Sequence, residues 1–420
     1  MQLSIRNIIK NRNYKTLHKN VLFTKNKLSK HIFLYFIGSF ISLIVVFSPE
    51  LANVHPIRFW DMDSTVVKWP NCFHNWGLKT FSIEANIQNM QGECWGFNYG
   101  IFSMPLYNGL AWVSQNAFLW VFLFSLASFF LIVLISPKTP SSHLFLFIIV
   151  ISPPVTLLFE SGNPDIINVL LCLVAGLALA HKKETIFVLC VSIVSLHKFY
   201  GIAMYILFFF GLIKREKLIK SILLFLSMGT VAIVIFYQVY FIGMQNFVDA
   251  ATNHYGISIW DNYLGKIGVV VDEKIIVFIG MATLLLGTTI FIKFSPQKFI
   301  EKEKLNVAKI VSIGFYLIFL FSYMVVNNVD YRLIFLCAAL ILDSEHVLSK
   351  TGLFKIYQLL IAASLYFVYP FGYSELVPGA PVQVLGDISL HIVAMFCLAR
   401  VFYLLLQLKN DMKVEYKNNL

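Results

Sequence analysis

Residues 185–213 read TIFVLCVSIVSLHKFYGIAMYILFFFGLI, an apolar run interrupted by one polar pair, His197 and Lys198. How this run is read decides the fold. As one helix it is about 44 Å long at ~1.5 Å per residue, well beyond the ~30 Å hydrocarbon core of a bilayer. It also leaves Lys198 at mid-membrane, at a cost of about 2.5–3.5 kcal/mol on insertion scales. Read as two short segments, 185–196 and 199–213, it leaves both polar residues at a break. Every later loop changes side between the two readings.

The chain around this run is as apolar as the run itself. Of 420 residues, 58% are hydrophobic and 13% charged, about half the charged fraction of a soluble domain. Apolar runs recur at 32–48, 117–135, 143–158, 166–180, 221–242, 274–292, 308–326, 333–342, 353–369 and 388–406. The chain therefore reads as an all-α polytopic membrane protein rather than a soluble enzyme on an anchor. The net charge of +11 does not mark a nucleic-acid surface, because the basic residues cluster in short loops beside apolar runs.

That clustering chooses between the two readings. With a break at 197–198, the outer loops hold only Arg58, Lys68, Lys79, Lys198, Lys266 and Arg332, while Lys274 and Arg400 fall at or within runs. The other 25 of the 33 Lys/Arg then lie on the cytoplasmic side. The one-helix reading moves the 214–220 and 293–309 clusters outside, against the positive-inside rule. About 12 membrane crossings with both termini cytoplasmic follow, some of them short or broken helices.

Three regions are expected. Residues 1–31 carry eight Lys/Arg and no acid, and form a basic amphipathic segment for the anionic inner leaflet. No A-x-A-like site follows Phe47, so 32–48 reads as an uncleaved first span. Residues 32–408 form the transmembrane domain, with a long first outer loop over 49–116, and 409–420 form a cytoplasmic tail. Cys172, Cys190, Cys337 and Cys397 lie in apolar runs and read as small core residues. Cys72 and Cys94 share the first outer loop, where an oxidising compartment allows a disulfide.

The break also gathers the remaining polar constellations onto the outer face. WDMDS (Trp60–Ser64) places Asp61 and Asp63 two residues apart just after the first span. Desolvation and mutual repulsion would raise one carboxyl toward the range of a general base; the alternative is a solvated acidic turn. In ESGNPD (Glu160–Asp165), Ser161 or Asn163 can cap a helix beginning near Pro164, and Asp165 complements its dipole. Glu160 is left over from that cap. His197 and Lys198 are the best cations for a lipid phosphate, or a lysine snorkelling to the interface. In NNVDYR (Asn327–Arg332), Arg332 either binds phosphate bidentately or pairs with Asp330. The segment 243–273 carries His254, Trp260 and Asp261 as acceptor or sugar contacts. No P-loop, GxSxG, HExxH or zinc-type Cys/His spacing occurs.

With these residues in order, the chain resembles the GT-C superfamily of membrane glycosyltransferases, and within it the family 87-like enzymes that use polyprenyl-phosphate sugars such as mannose. The resemblance spans roughly residues 30–410. It rests on an acid soon after the first span (Asp61, Asp63), a G-N-x-D element opening a span (Gly162, Asn163, Asp165), a K-x-Y-like element in a broken span (Lys198, Tyr200) and DYR opening a later span (Asp330–Arg332). The sequence departs from the commoner E-R-G-N-x-D form, with Ser161 in place of Arg and Pro164 before the Asp. The resemblance implies inverting transfer of a hexosyl group to a lipid-linked or cell-envelope glycan, with Asp61 or Asp63 as base. Lys198, His197 and Arg332 would hold the departing phosphate, supported by Asn163 and Asp330. No cofactor is required; a divalent cation is compatible, with Glu160 or Asp165 among its ligands. The competing classes are a transporter or flippase of lipid-linked glycans and a polysaccharide polymerase or ligase. A transporter predicts internal repeats, and no convincing repeat is present.

Overall fold

A computed structural model describes residues 145, 148–149, 152–160, 165–211, 218–240, 254–255, 260, 263–264, 268–269, 271–294, 305–325, 328–329, 333–344, 352–368 and 381–418. In chain order the helices are α1 (Pro153–Glu160), α2 (Asp165–Ala180), α3 (Glu184–His197), a 3-10 helix (Phe199–Tyr205), α4 (Ile206–Gly211) and α5 (Leu218–Tyr240). They continue as α6 (Glu273–Phe294), α7 (Val307–Val325), α8 (Ile334–Leu342), α9 (Gly352–Phe367) and α10 (Pro381–Asn418). The regular secondary structure among the described residues is helical except for one antiparallel pair of two-residue strands, β1 (His254–Tyr255) and β2 (Asn328–Val329), with His254 opposite Val329.

The stretch that decides the fold is a hairpin. α3 ends at His197, and Lys198 takes an extended conformation (φ −139°, ψ 124°) while its N–H still bonds to Val194 O at 2.7 Å. The 3-10 helix then folds back along α3. Ser192 Oγ and Tyr205 OH lie 2.7 Å apart, whereas thirteen residues along one helix would separate them by about 20 Å. Gly201 permits the reversal, because a Cβ there would lie 2.7 Å from Ser195 N and 2.9 Å from Val194 C. Gly201→Ala is expected to cost about 1–3 kcal/mol of stability by forcing these backbones apart, read as a lowered midpoint in detergent-solubilised thermal unfolding. An unchanged midpoint would show that the close approach is slack.

A second contact fixes the direction of the chain beyond the hairpin. Lys220, near the start of α5, bonds to Glu184, the first residue of α3, at 2.9 Å. A continuous helix through 185–213 would hold these residues at opposite ends. The bundle therefore has an Asp165 end and a Glu184 end. α7 runs antiparallel to α2, with Gly176 against Val311 (a Cβ on Gly176 would lie 2.9 Å from Val311 Cα). α8 starts at the Asp165 end, where Phe335 packs edge-on against Tyr200 at 5.2 Å. α10 runs antiparallel to α7, with Tyr323 meeting His391 at 2.7 Å. α6 lies parallel to α10, matching Thr283 with His391 and Thr288 with Met395 O.

Among the described residues, four helices are long and apolar enough to cross a membrane: those covering Lys220–Tyr237, Lys274–Lys293, Val307–Met324 and Val382–Asn410. α7 is the central one, with 78% of its span buried, against 17% for α5 and 22% for α6. The last two turn large apolar side chains outward, Ile233, Phe236, Phe278 and Leu286 among them. Lysines divide unequally among the described residues. Lys182, Lys183, Lys220, Lys293, Lys309, Lys355, Lys409, Lys413 and Lys417 belong to the Glu184 end, and Lys198 and Lys274 to the Asp165 end.

Two boundaries differ from the sequence reading. Residues 381–387, read as loop, open α10 instead, with Pro381 in a first-turn position that needs no N–H donor. The same helix continues to Asn418, through most of the expected 409–420 tail. The four cysteines expected in the core are buried and free.

Candidate functional site

The Asp165 end carries a buried polar network that joins two elements of the sequence reading. Asp165 opens α2, and its Oδ1 accepts from Tyr200 OH (2.6 Å) and from Asn168 Nδ2 (2.8 Å). Asn168 Nδ2 also reaches Tyr200 OH at 2.9 Å. With its amide nitrogen turned to the carboxylate, Asn168 presents Oδ1 to His197 Nδ1 at 2.8 Å. An amide oxygen only accepts, so His197 carries a proton on Nδ1, and Nε2 holds the lone pair of the neutral ring. Asp165 and Asn168 are fully buried, and His197 and Lys198 are each 3% exposed. Burial at this level holds each group in one orientation, because every polar atom needs its partner.

Local sequence explains why the groups converge. Asp165 and Asn168 are three residues apart on α2 and so share a face. His197 and Tyr200 flank the extended Lys198, and the reversal there turns both toward that face. Phe335 seals the network from the α8 side through Tyr200, and lies 6.2 Å from Phe315 of α7. Phe315, Phe319 and Tyr323 follow at i, i+4 and i+8 along α7 and lead to a second polar group.

This second group lies where α6, α7 and α10 meet. Asp387 and His391, one turn apart on α10, share a face. His391 Nδ1 meets Tyr323 OH at 2.7 Å, and Nε2 meets Thr283 Oγ1 at 3.1 Å. Asp387 Oδ2 accepts from Tyr263 OH in a short hydrogen bond, and Tyr263 packs edge-to-face with Trp260 at 5.7 Å.

The structure thus brings together Asp165, His197 and Lys198 among the expected site residues. Glu160 is the last residue of α1. His254 lies in β1, whose pairing with β2 ties its segment to the one leading into Asp330 and Arg332. Trp260 lies beside Tyr263. Asp61, Asp63, Asn163, Asp261, Asp330, Arg332, Cys72 and Cys94 lie outside the described residues. Among the described residues no group of three His, Cys, Asp or Glu could hold a metal ion.

Sequence reasoning missed Asn168, Tyr263, Thr283, Tyr323, Asp387 and His391. Two signals were available: Asn168 at i+3 from Asp165, and an Asp and a His at i and i+4 in an otherwise apolar helix. No protein-family model, curated protein or solved structure matches this chain.

Proposed function

We propose that the chain is an integral membrane glycosyltransferase of GT-C-like architecture with about 12 crossings and cytoplasmic termini. It moves a mannose-type hexosyl group from a polyprenyl-phosphate sugar to a lipid-linked or cell-envelope glycan at the outer face. The observation that carries this reading is the convergence of Asp165, His197, Lys198 and Tyr200, from two segments of the family resemblance, at the end of the bundle away from most lysines. A lysine-rich end is the cytoplasmic one by the positive-inside rule, which sets the network on the outer side.

The chemistry asks two things of the chain. Asp61 or Asp63 takes the proton of the acceptor hydroxyl, whose oxygen attacks the anomeric carbon from the face opposite the phosphate. The carbon–oxygen bond to phosphate then breaks, and polyprenyl phosphate leaves with its negative charge steadied by Lys198 and Arg332; the neutral ring of His197, its Nδ1–H given to Asn168, supplies no charge there, contrary to the sequence expectation. In this scheme Asn168 and Asp165 hold the imidazole of His197 in place.

Transfer from a radiolabelled polyprenyl-phosphate mannose in membranes tests the reaction. Asp61→Asn or Asp63→Asn is expected to lower the rate by about 10²–10⁴, the usual contribution of a general base. If both variants match wild type, the base is elsewhere. A reporter fused after residue 198 is expected to read outside the cytoplasm, and a cytoplasmic signal would remove the twelve-crossing arrangement.

A further inference from the structure

Asp387 and His391 share a face of α10 but differ in how their hydrogen bonds are met. Thr283 Oγ1 gives its proton to Gly280 O at 2.9 Å, so it accepts from His391 Nε2–H. Nδ1 of His391 then accepts from Tyr323 OH. Both nitrogens of a neutral imidazole are satisfied. Asp387 is incomplete: Oδ2 accepts from Tyr263, while Oδ1 is buried with no hydrogen-bond partner. The side chain is 3% exposed. A buried carboxylate oxygen without a donor is costly, and native structures rarely leave one unless something else supplies the donor.

The approach to Asp387 narrows what that donor is. Trp260 and Tyr263 are only partly buried, and Tyr263 links their edge-to-face pair directly to the carboxylate. A partly buried aromatic pair joined to a buried acceptor suits a ligand with an apolar face and hydroxyl donors on its rim, which describes a pyranose ring. A phosphate on the ring would carry its charge into a buried site whose described hydrogen-bond partner is a neutral tyrosine rather than a cation. The ring is therefore uncharged at this position.

We infer that Asp387, Tyr263 and Trp260 form a subsite for an uncharged hexopyranose, with one ring hydroxyl donating to Asp387 Oδ1. Assigning that ring to the acceptor rests on the transferase reading above; the subsite itself rests on the geometry.

The test uses the full chain in lipid nanodiscs and saturation-transfer NMR with methyl α-hexopyranosides of mannose, glucose and galactose, and with mannose 1-phosphate. Wild type is expected to transfer saturation to at least one methyl hexoside, more strongly than to mannose 1-phosphate. Asp387→Leu and Trp260→Ala are each expected to weaken that binding roughly tenfold or more, the effect of losing one buried hydrogen bond or one stacking face. Two variants on different elements guard against a folding failure in either. Wild type that binds no hexoside, variants that bind as wild type does, or a preference for the phosphate each overturn the subsite. Hexoside binding lost in both variants, in a protein that shows no transfer from polyprenyl-phosphate mannose, supports the subsite and sinks the transferase. Transfer that persists without hexoside binding sinks the subsite alone.

Discussion

Arg400→Leu is expected to destabilise the protein by about 3–5 kcal/mol, the cost of leaving one buried charge without its partner. Arg400 donates from Nε to Asp343 Oδ2 at 2.7 Å and from Nη2 to Asp343 Oδ1 at 2.8 Å, with side-chain exposures of 4% and 0%. Two parallel bonds of this kind form only between a planar guanidinium and a carboxylate, so lysine is not an equivalent replacement. The pair ties the end of α8 to the middle of α10, and Tyr316 OH approaches the same carboxylate at 3.4 Å. The double variant Asp343→Leu/Arg400→Leu removes both charges and is expected to recover most of the loss, because an apolar pair of similar volume often equals a buried ion pair. Thermal unfolding of the two variants in the same detergent reads the difference. If the double variant is no more stable than Arg400→Leu alone, the ion pair contributes more than mutual neutralisation.

The second large effect is expected at Asn168, the residue through which the site network runs. Asn168→Leu keeps roughly the same volume but strips a donor from Asp165 Oδ1 and the acceptor from His197 Nδ1. Two buried polar groups lose a partner at about 1–3 kcal/mol each, so a total of about 2–6 kcal/mol is expected. Nitrogen-15 NMR of labelled histidine gives a readout that packing alone does not move. Wild type is expected to show His197 protonated at Nδ1, and the variant to lose that preference. A wild-type ring protonated only at Nε2 would reverse the orientation of the Asn168 amide and break the proposed link from Asp165 to His197.

The parts of this protein legible in its sequence are those governed by local cost. A lysine in the middle of a 29-residue apolar run forces a break, and the reversal at Lys198 follows from that cost with Gly201 beside it. The convergence of Asp165 with the His197–Lys198 break was anticipated only as a shared face, because the hydrogen bonds span 29 and 35 residues. Arg400 appeared as a charge stranded within a span, and its partner 57 residues earlier gave no local sign. Asp387 was read as part of a loop, so its position on one face with His391 was lost with the helix boundary. The bond from Tyr263 to Asp387 spans 124 residues and has no periodic trace. Strands of two residues are too short for any alternation, which is why β1 and β2 were invisible.

The reversal at Lys198 also constrains how the chain enters a bilayer during synthesis. α3 has 14 residues, and the apolar segment after it, Phe199–Phe210, has 12. Each falls short of the roughly 20 residues that a helix needs to span alone. Neither is therefore an independent insertion signal. In the proposed topology the two partition together, as one unit whose tip is His197–Lys198. A stop codon or a long insertion placed between Lys198 and Tyr205 leaves α3 without the partner that makes it stable in lipid.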